Sequence, residues 1–273
     1  MSDFVGPGLG AQGARPGTRV PSRELSVVAA CCLSLGLAGL GGCARPGAAM
    51  FQPCVSPDGG TVAYCYARVK TTDILSLEIP SDRGKTLVTG LHGNAGEPAY
   101  LPDGRSLVLA SDAGGDRGQI SRIVLATGKA TPVLKSQWSD TGPTVGPDGD
   151  TLTFVRSTRR RDRSMGGTTW CDADLWIGSM TKENWRRLTH MRGGSASPAQ
   201  FSPDGTTLYV AFHSITESDI YAVDVATGST TRVTTTGGYT SDPAVSPDGS
   251  VAAVANRPAL PHEEEDCNEC VSP

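Results

Sequence analysis

Two imidazoles, three carboxylates and two aromatic rings fall in four comparable stretches of this chain, and they are the groups best placed to do chemistry. The stretches are "GLHGNAGEP" (90–98), "KSQWSDTGP" (135–143), "HMRGGSASP" (190–198) and "TTGGYTSDP" (235–243), and the groups are His92, Glu97, Trp138, Asp140, His190, Tyr239 and Asp242. Imidazoles and carboxylates drawn from several segments can coordinate a metal or act as general acids and bases, and rings beside them can hold a ligand. His92 and His190 are the pair a metal site would use, but two imidazoles without an evident carboxylate partner fall short of a donor set. Glu97 and Asp242 also admit a plainer reading, in which each accepts hydrogen bonds from loop amides.

The motifs of familiar catalysts are missing from the sequence. It holds neither a G-x-S-x-G elbow nor an H-E-x-x-H pair, and "GGSAS" around Ser195 lacks the final glycine. The expectation is a protein with no catalytic residue, metal or cofactor. A second cluster, Arg159, Arg160, Arg161 and Arg163, lies in "STRRRDRSMGGTTWCDAD". Four arginines on an otherwise acidic chain suit an anionic partner, a lipid headgroup or a phosphorylated ligand, or they form a solvated loop.

What must position these groups is a repeat. "SPDG" or a near copy centres on Asp58, Asp103, Asp148, Asp204 and Asp248, at intervals of 45, 45, 56 and 44 residues. Proline presets φ for a turn, aspartate suits the following position, and glycine takes the left-handed conformation that lets the next strand leave with the right twist. Alternation follows, as with Leu208, Val210 and Phe212 on one face and Leu107 and Leu109 in the second copy. A second hairpin turns at "TG" (Thr127–Gly128 and Thr227–Gly228) or at "TKEN" in the third copy. Four short strands per period of about 45 residues predict an all-β chain, a β-propeller of four-stranded antiparallel blades.

The combination of "SPDG", an alternating strand, "SDIY", "TG" and "RVT" or "RLT" resembles the TolB-type propeller repeat, over roughly residues 53–256. The resemblance implies a propeller of the kind found in cell-envelope proteins and in peptidase-associated domains. A non-catalytic scaffold that binds a protein partner or small ligand is the leading expectation, and a metal-dependent propeller lyase or truncated peptidase-associated propeller is the alternative. Asp73, Asp174 and Asp219 each precede a third strand, and their repetition favours a structural role in tying strands together. The "SPDG" and "TG" turns are expected on one face, and the variable connections with their candidate residues on the other. Five first hairpins but only four second ones can be traced, so the last blade is incomplete.

The amino end reads differently. Arginines precede an uncharged apolar run from Leu25 to Leu40 and then "LGGC" ending at Cys43, the layout of a secretion signal that resembles the bacterial lipobox. The expected division is a leader (1–43) with Cys43 lipidated, a tether (44–52), a propeller (53–256) and an acidic tail containing cysteines (257–273). The glycine-rich stretch 1–19 is long for a leader, and a start near Val20 would give normal proportions. Ala44 after the acylated cysteine points to the periplasmic side of the outer membrane. Without the leader's charges, 21 basic and 26 acidic residues leave a net charge of −5, which argues against nucleic acid. Cys54 and Cys65 flank the first turn, and a bridge between them requires Cα atoms within about 7 Å.

Overall fold

A computed structural model describes residues 49–257 apart from 68–70, 80, 82, 93–94, 113–114, 116, 163–167, 192–193, 215–216, 236–237 and 252–254. The leader, Cys43 and the tail from residue 258 lie outside the described residues. Every regular element described is a β-strand. The first blade contains β1 (Ala49–Val55), β2 (Thr61–Ala67), β3 (Thr71–Glu78) and β4 (Gly84–His92), and the second contains β5 (Ala95–Tyr100), β6 (Ser106–Ser111), β7 (Gln119–Val124) and β8 (Lys129–Pro132). The third has β9 (Ser139–Val145), β10 (Thr151–Asp162), β11 (Thr168–Ser179) and β12 (Arg186–Arg187). The fourth opens with a first strand in two pieces, β13 (Gly194–Ala196) and β14 (Gln200–Phe201), and continues with β15 (Thr207–Ser214), β16 (Ser218–Asp224) and β17 (Thr230–Arg232). Of the fifth, β18 (Tyr239–Ser241) and β19 (Ala255–Arg257) are described.

Each blade is an antiparallel meander. The first two are separate four-stranded sheets, whereas the later ones fuse through single parallel pairings, Ala173 with Ser195 and Ser218 with Tyr239. Among the described residues no ladder joins the first blade to the fifth. The first strand starts at Ala49, four residues before the expected propeller boundary, so residues 49–52 belong to the first blade and not to a tether.

The repeated turn is built by its own side chains. Ser56 Oγ donates to Asp58 Oδ1 at 2.6 Å, and Asp58 Oδ1 also accepts the Gly60 amide at 2.9 Å. The same serine–aspartate bond recurs at Ser202–Asp204 and Ser246–Asp248. These donors hold the carboxyls of Asp58 and Asp204 below their ordinary range and that of Asp248 at about 2. The turns also nest: a Cβ on Gly205 would come within 3.0 Å of Pro147, in the turn of the preceding blade. In the third blade's second hairpin, Glu183 takes the left-handed position at φ 52 that glycine fills elsewhere.

The core lies between blades. Leu107, Leu109 and Ile123 of the second blade pack on Ala63, Cys65 and Ile74 of the first. Their strand neighbours Val108 and Ile120 face the other way, onto Leu152 and Phe154 of the third blade. Val155, Leu175 and Ile177 then meet Leu208 and Val210 of the fourth. Period-two alternation thus serves two interfaces at once in the second and third blades, whose sheets are apolar on both faces.

Asp174 and Asp219, expected just before the third strands, lie within them and act as clamps. Asp174 receives Arg187, Thr189 Oγ1 at 2.9 Å and the Met191 amide at 2.9 Å. Asp219 receives Arg232 and Thr234 Oγ1 at 2.7 Å. The arginine and threonine of "RLT" and "RVT" are therefore the fourth-strand partners of the aspartate in the third strand.

Candidate functional site

The four connections that carry the candidate residues lie at the end of the array opposite the "SPDG" turns, but much of each connection is strand. Strand β4 runs to His92 and β5 starts at Ala95, while β9 and β18 begin at Ser139 and Tyr239. Glu97, Asp140, Tyr239 and Ser241 are therefore residues of first strands, which line the inside of the array because β1 packs on β5 and β5 on β9. Alternation did not reveal these strands because each is interrupted. Gln52, Glu97, Gly142 and Asp242, each followed by proline, have φ of 54, 56, 58 and 54°, and the ladder register shifts at the first three of these sites. Three of the four carry side chains in a region such residues seldom occupy.

Hydrogen bonds between blades hold this conformation. Gln52 Oε1 accepts the Glu97 amide at 2.7 Å, and Glu97 Oε2 accepts the Gly142 amide, each bond reaching one blade ahead. At the third step the side chain is absent because the next blade is too close: a Cβ on Gly142 would lie 2.7 Å from Pro198. Burial pushes the Glu97 carboxyl above its ordinary value, against the pull of the Gly142 amide. Replacing Glu97 with glutamine, which keeps an acceptor, is expected to change stability by less than about 1 kcal/mol. Glu97→Ala, which strands a buried amide, is expected to cost about 1–3 kcal/mol in urea unfolding. An alanine variant as stable as the parent would show the carboxylate to be free for a ligand.

Asp140 is enclosed. Its two oxygens accept Arg156 Nε at 2.6 Å and Nη2 at 3.0 Å, with the side chains only 1% and 9% exposed. The guanidinium lies 4.5 Å from the centre of the Trp176 ring and 5.1 Å from that of Phe154. Burial raises the Asp140 carboxyl, opposed by the hydrogen bonds and charge of Arg156. Arg156 is the partner that reading by spacing missed, since 16 residues and a turn separate the pair and only the β9–β10 register aligns them.

The other candidates are spread along the same end. His190 is exposed and Trp138 partly buried, with its amide bonded to Ser136 Oγ at 3.0 Å. Tyr239 is partly buried, and Asp242 is exposed and accepts Ser241 Oγ at 2.7 Å. His213 on β15 joins this end: burial lowers its imidazole and the charge of Asp242 opposes that shift. The side chain of His92 lies outside the described residues, as do those of Arg160 and Arg161 and the whole of Arg163. The arginine stretch, expected as a loop, is largely ladder, with Arg159 opposite Cys171, Arg160 opposite Trp170 and Arg161 opposite Thr169. The extra length of this period, 56 residues against 44 or 45 elsewhere, goes into a longer hairpin.

Among the described residues no group of three or more His, Cys, Asp or Glu could hold a metal ion. The bridge considered between Cys54 and Cys65 is not formed: both are free thiols, because the β-bulge sets Cys65 opposite Phe51 and Cys54 opposite Ala63. Burial pushes both thiols up to about 12. On the opposite, turn-bearing face, a shallow cavity of about 330 Å³ lies between the third and fourth blades, lined by Asp148, Asp150, Lys182, Arg186 and Val225. Its acids are engaged in the turns, with Asp150 accepting Ser179 Oγ at 2.5 Å and the Thr181 amide at 3.0 Å.

No family model matches the chain. It is 35% identical over 100 residues to an uncharacterised protein of Agrobacterium fabrum, covering 37% of this chain and 33% of that protein. Over 129 residues it is 30% identical to the Tol-Pal system protein TolB of Francisella tularensis, covering 47% of this chain and 28% of TolB. The matched stretches span about a third or less of these relatives' own length. Of solved structures, TolB from Acinetobacter baumannii superposes with a TM-score of 0.58 at 20% identity, covering 74% of this chain and 47% of that one. Oligogalacturonate lyase from Vibrio parahaemolyticus gives 0.52 at 16% identity, covering 75% of this chain and 57% of that one. The fold is a TolB-type β-propeller, an architecture that by itself does not decide between binding and catalysis.

Proposed function

We propose that this TolB-type propeller is a non-catalytic, lipid-anchored protein of the bacterial cell envelope that binds a protein partner or small ligand through its variable end. One observation carries the non-catalytic reading: two of the three candidate carboxylates are bonded to a partner on another strand. Glu97 serves the next blade's amide and Asp140 serves Arg156. The other candidates at this end are His190, Tyr239, Trp138, Asp242 and the arginine hairpin, a set suited to recognition more than to paired acid–base chemistry. The likeness to TolB, by name a Tol-Pal system protein, supports an envelope partner. The "LGGC" leader supports a lipid on Cys43 and a place on the periplasmic side of the outer membrane.

The test is to isolate membranes from cells making the parent and a Cys43→Ser variant, label both with a palmitate analogue, and cross-link the parent before purification. Label on the parent alone, with a defined envelope protein cross-linked to it, is the expected result. An unlabelled, soluble protein without a partner would overturn the reading. Metal-dependent lyase activity or association with a peptidase would then become the function to assay.

A further inference from the structure

The direction of the strands relates the arginine hairpin to the amino end. Strand β1 runs from Ala49 towards the first "SPDG" turn, so Ala49 lies at the opposite, variable end. Strand β10 runs away from the turn at Asp148, so the far end of the β10–β11 hairpin projects from that same end. The hairpin outgrows its neighbours. Pairing with β9 stops at Ser157–Ser139, and pairing with β13 is the single step Ala173–Ser195. Beyond these, the residues from Arg159–Cys171 to Asp162–Thr168 pair only with each other. Asp172, at φ 57, marks the point where the arm leaves the sheet.

Lengths and side-chain types then agree. Residues 158–162 carry the arm about 16 Å beyond the sheet at about 3.3 Å per residue. Five residues lie between Cys43 and Ala49, and the six Cα–Cα steps span at most about 22 Å. An anchor at Cys43 therefore holds Ala49 within about 22 Å of a membrane, a gap of the same order as the arm's length of about 16 Å. The arm has Arg159, Arg160 and Arg161 in succession, with Trp170 opposite Arg160. Arginine is drawn to anionic headgroups and tryptophan settles at membrane interfaces. Asp162 and Asp172 are the acids on the same arm.

We propose that this hairpin is a second membrane contact, docking on anionic phospholipid headgroups beside the Cys43 anchor and turning the variable end of the propeller towards the bilayer. The proposal rests on the lipid-anchor reading of Cys43, and it restricts the partner of that end to one within or close against the membrane.

The arm is testable without the anchor. A chain starting at residue 43 with Cys43→Ser keeps every residue of the described fold and can be sedimented with phosphatidylcholine vesicles, with and without phosphatidylglycerol. Binding to the anionic vesicles that weakens with salt is expected, with little binding to neutral ones. Changing Arg159, Arg160 and Arg161 together to threonine should weaken binding by on the order of a hundredfold, at about fivefold per arginine, without shifting the melting temperature. The corresponding triple lysine variant should retain binding. Equal binding to neutral vesicles, no binding at all, or a threonine variant equal to the parent would overturn the proposal. Palmitate labelling is read separately: label without arm binding removes this inference alone, and arm binding without label removes the anchor.

Discussion

Asp140→Ala is expected to destabilise the chain by about 3–5 kcal/mol, because it leaves the Arg156 guanidinium buried without its counter-charge. The pair is 1% and 9% exposed and doubly hydrogen-bonded, so the guanidinium depends on that carboxylate for its counter-charge. The pair itself is not a strong source of net stability. Taking both charges out of water offsets most of their attraction, and burial raises the Asp140 carboxyl against the pull of Arg156. Exchanging both partners for apolar residues, Asp140→Leu with Arg156→Met, is accordingly expected to cost far less than the single alanine change. Urea unfolding of the two variants measures this difference. A single alanine variant within about 1 kcal/mol of the parent would mean that Arg156 does not depend on Asp140, and would return the carboxylate to the candidate ligand-binding set.

How much of this was legible depended on whether the signal was local. The turn at Asp204 is written in four consecutive residues, and the strand after it alternates, so fold class and repeat followed from spacing alone. The third-strand aspartates were legible as structural through repetition, and "RLT" and "RVT" were visible as motifs before their bonds to Asp174 and Asp219 gave them a reason. First strands were misread at their starts. A positive φ before proline at Gln52, Glu97 and Asp242 breaks the alternation, so strand residues passed for loop. Partners one blade away, such as Gln52 with Glu97 or Glu97 with Gly142, leave no local trace; their separation of 45 residues is the repeat interval, a signal that could have paired them. The hairpin arm was hidden because arginine-rich sequence lacks the apolar alternation that marks a half-buried strand.

Phe154→Ala should cost about 3–5 kcal/mol, the range for removing a fully buried phenylalanine. The side chain is 0% exposed and belongs to the cluster with Leu101, Val108, Ile120 and Leu134 of the preceding blade. It meets Trp185 edge-on at 5.4 Å between ring centres, and the Arg156 guanidinium lies 5.1 Å from its own. Its loss would add to that of Asp140 only in part, because both touch Arg156. Val233→Ala, at 46% exposure, serves as a control expected to change stability by no more than about 0.5 kcal/mol. The informative reading is where the damage spreads. Phe154 is a third-blade residue whose contacts include the second blade, and a repeat array is stable through such nearest-neighbour interfaces. Hydrogen exchange should therefore show the amides of Leu107–Ala110 losing protection together with those of Leu152–Val155. Loss confined to the third blade would show that the blades are individually stable, and that the alternation onto two faces serves shape more than cooperativity.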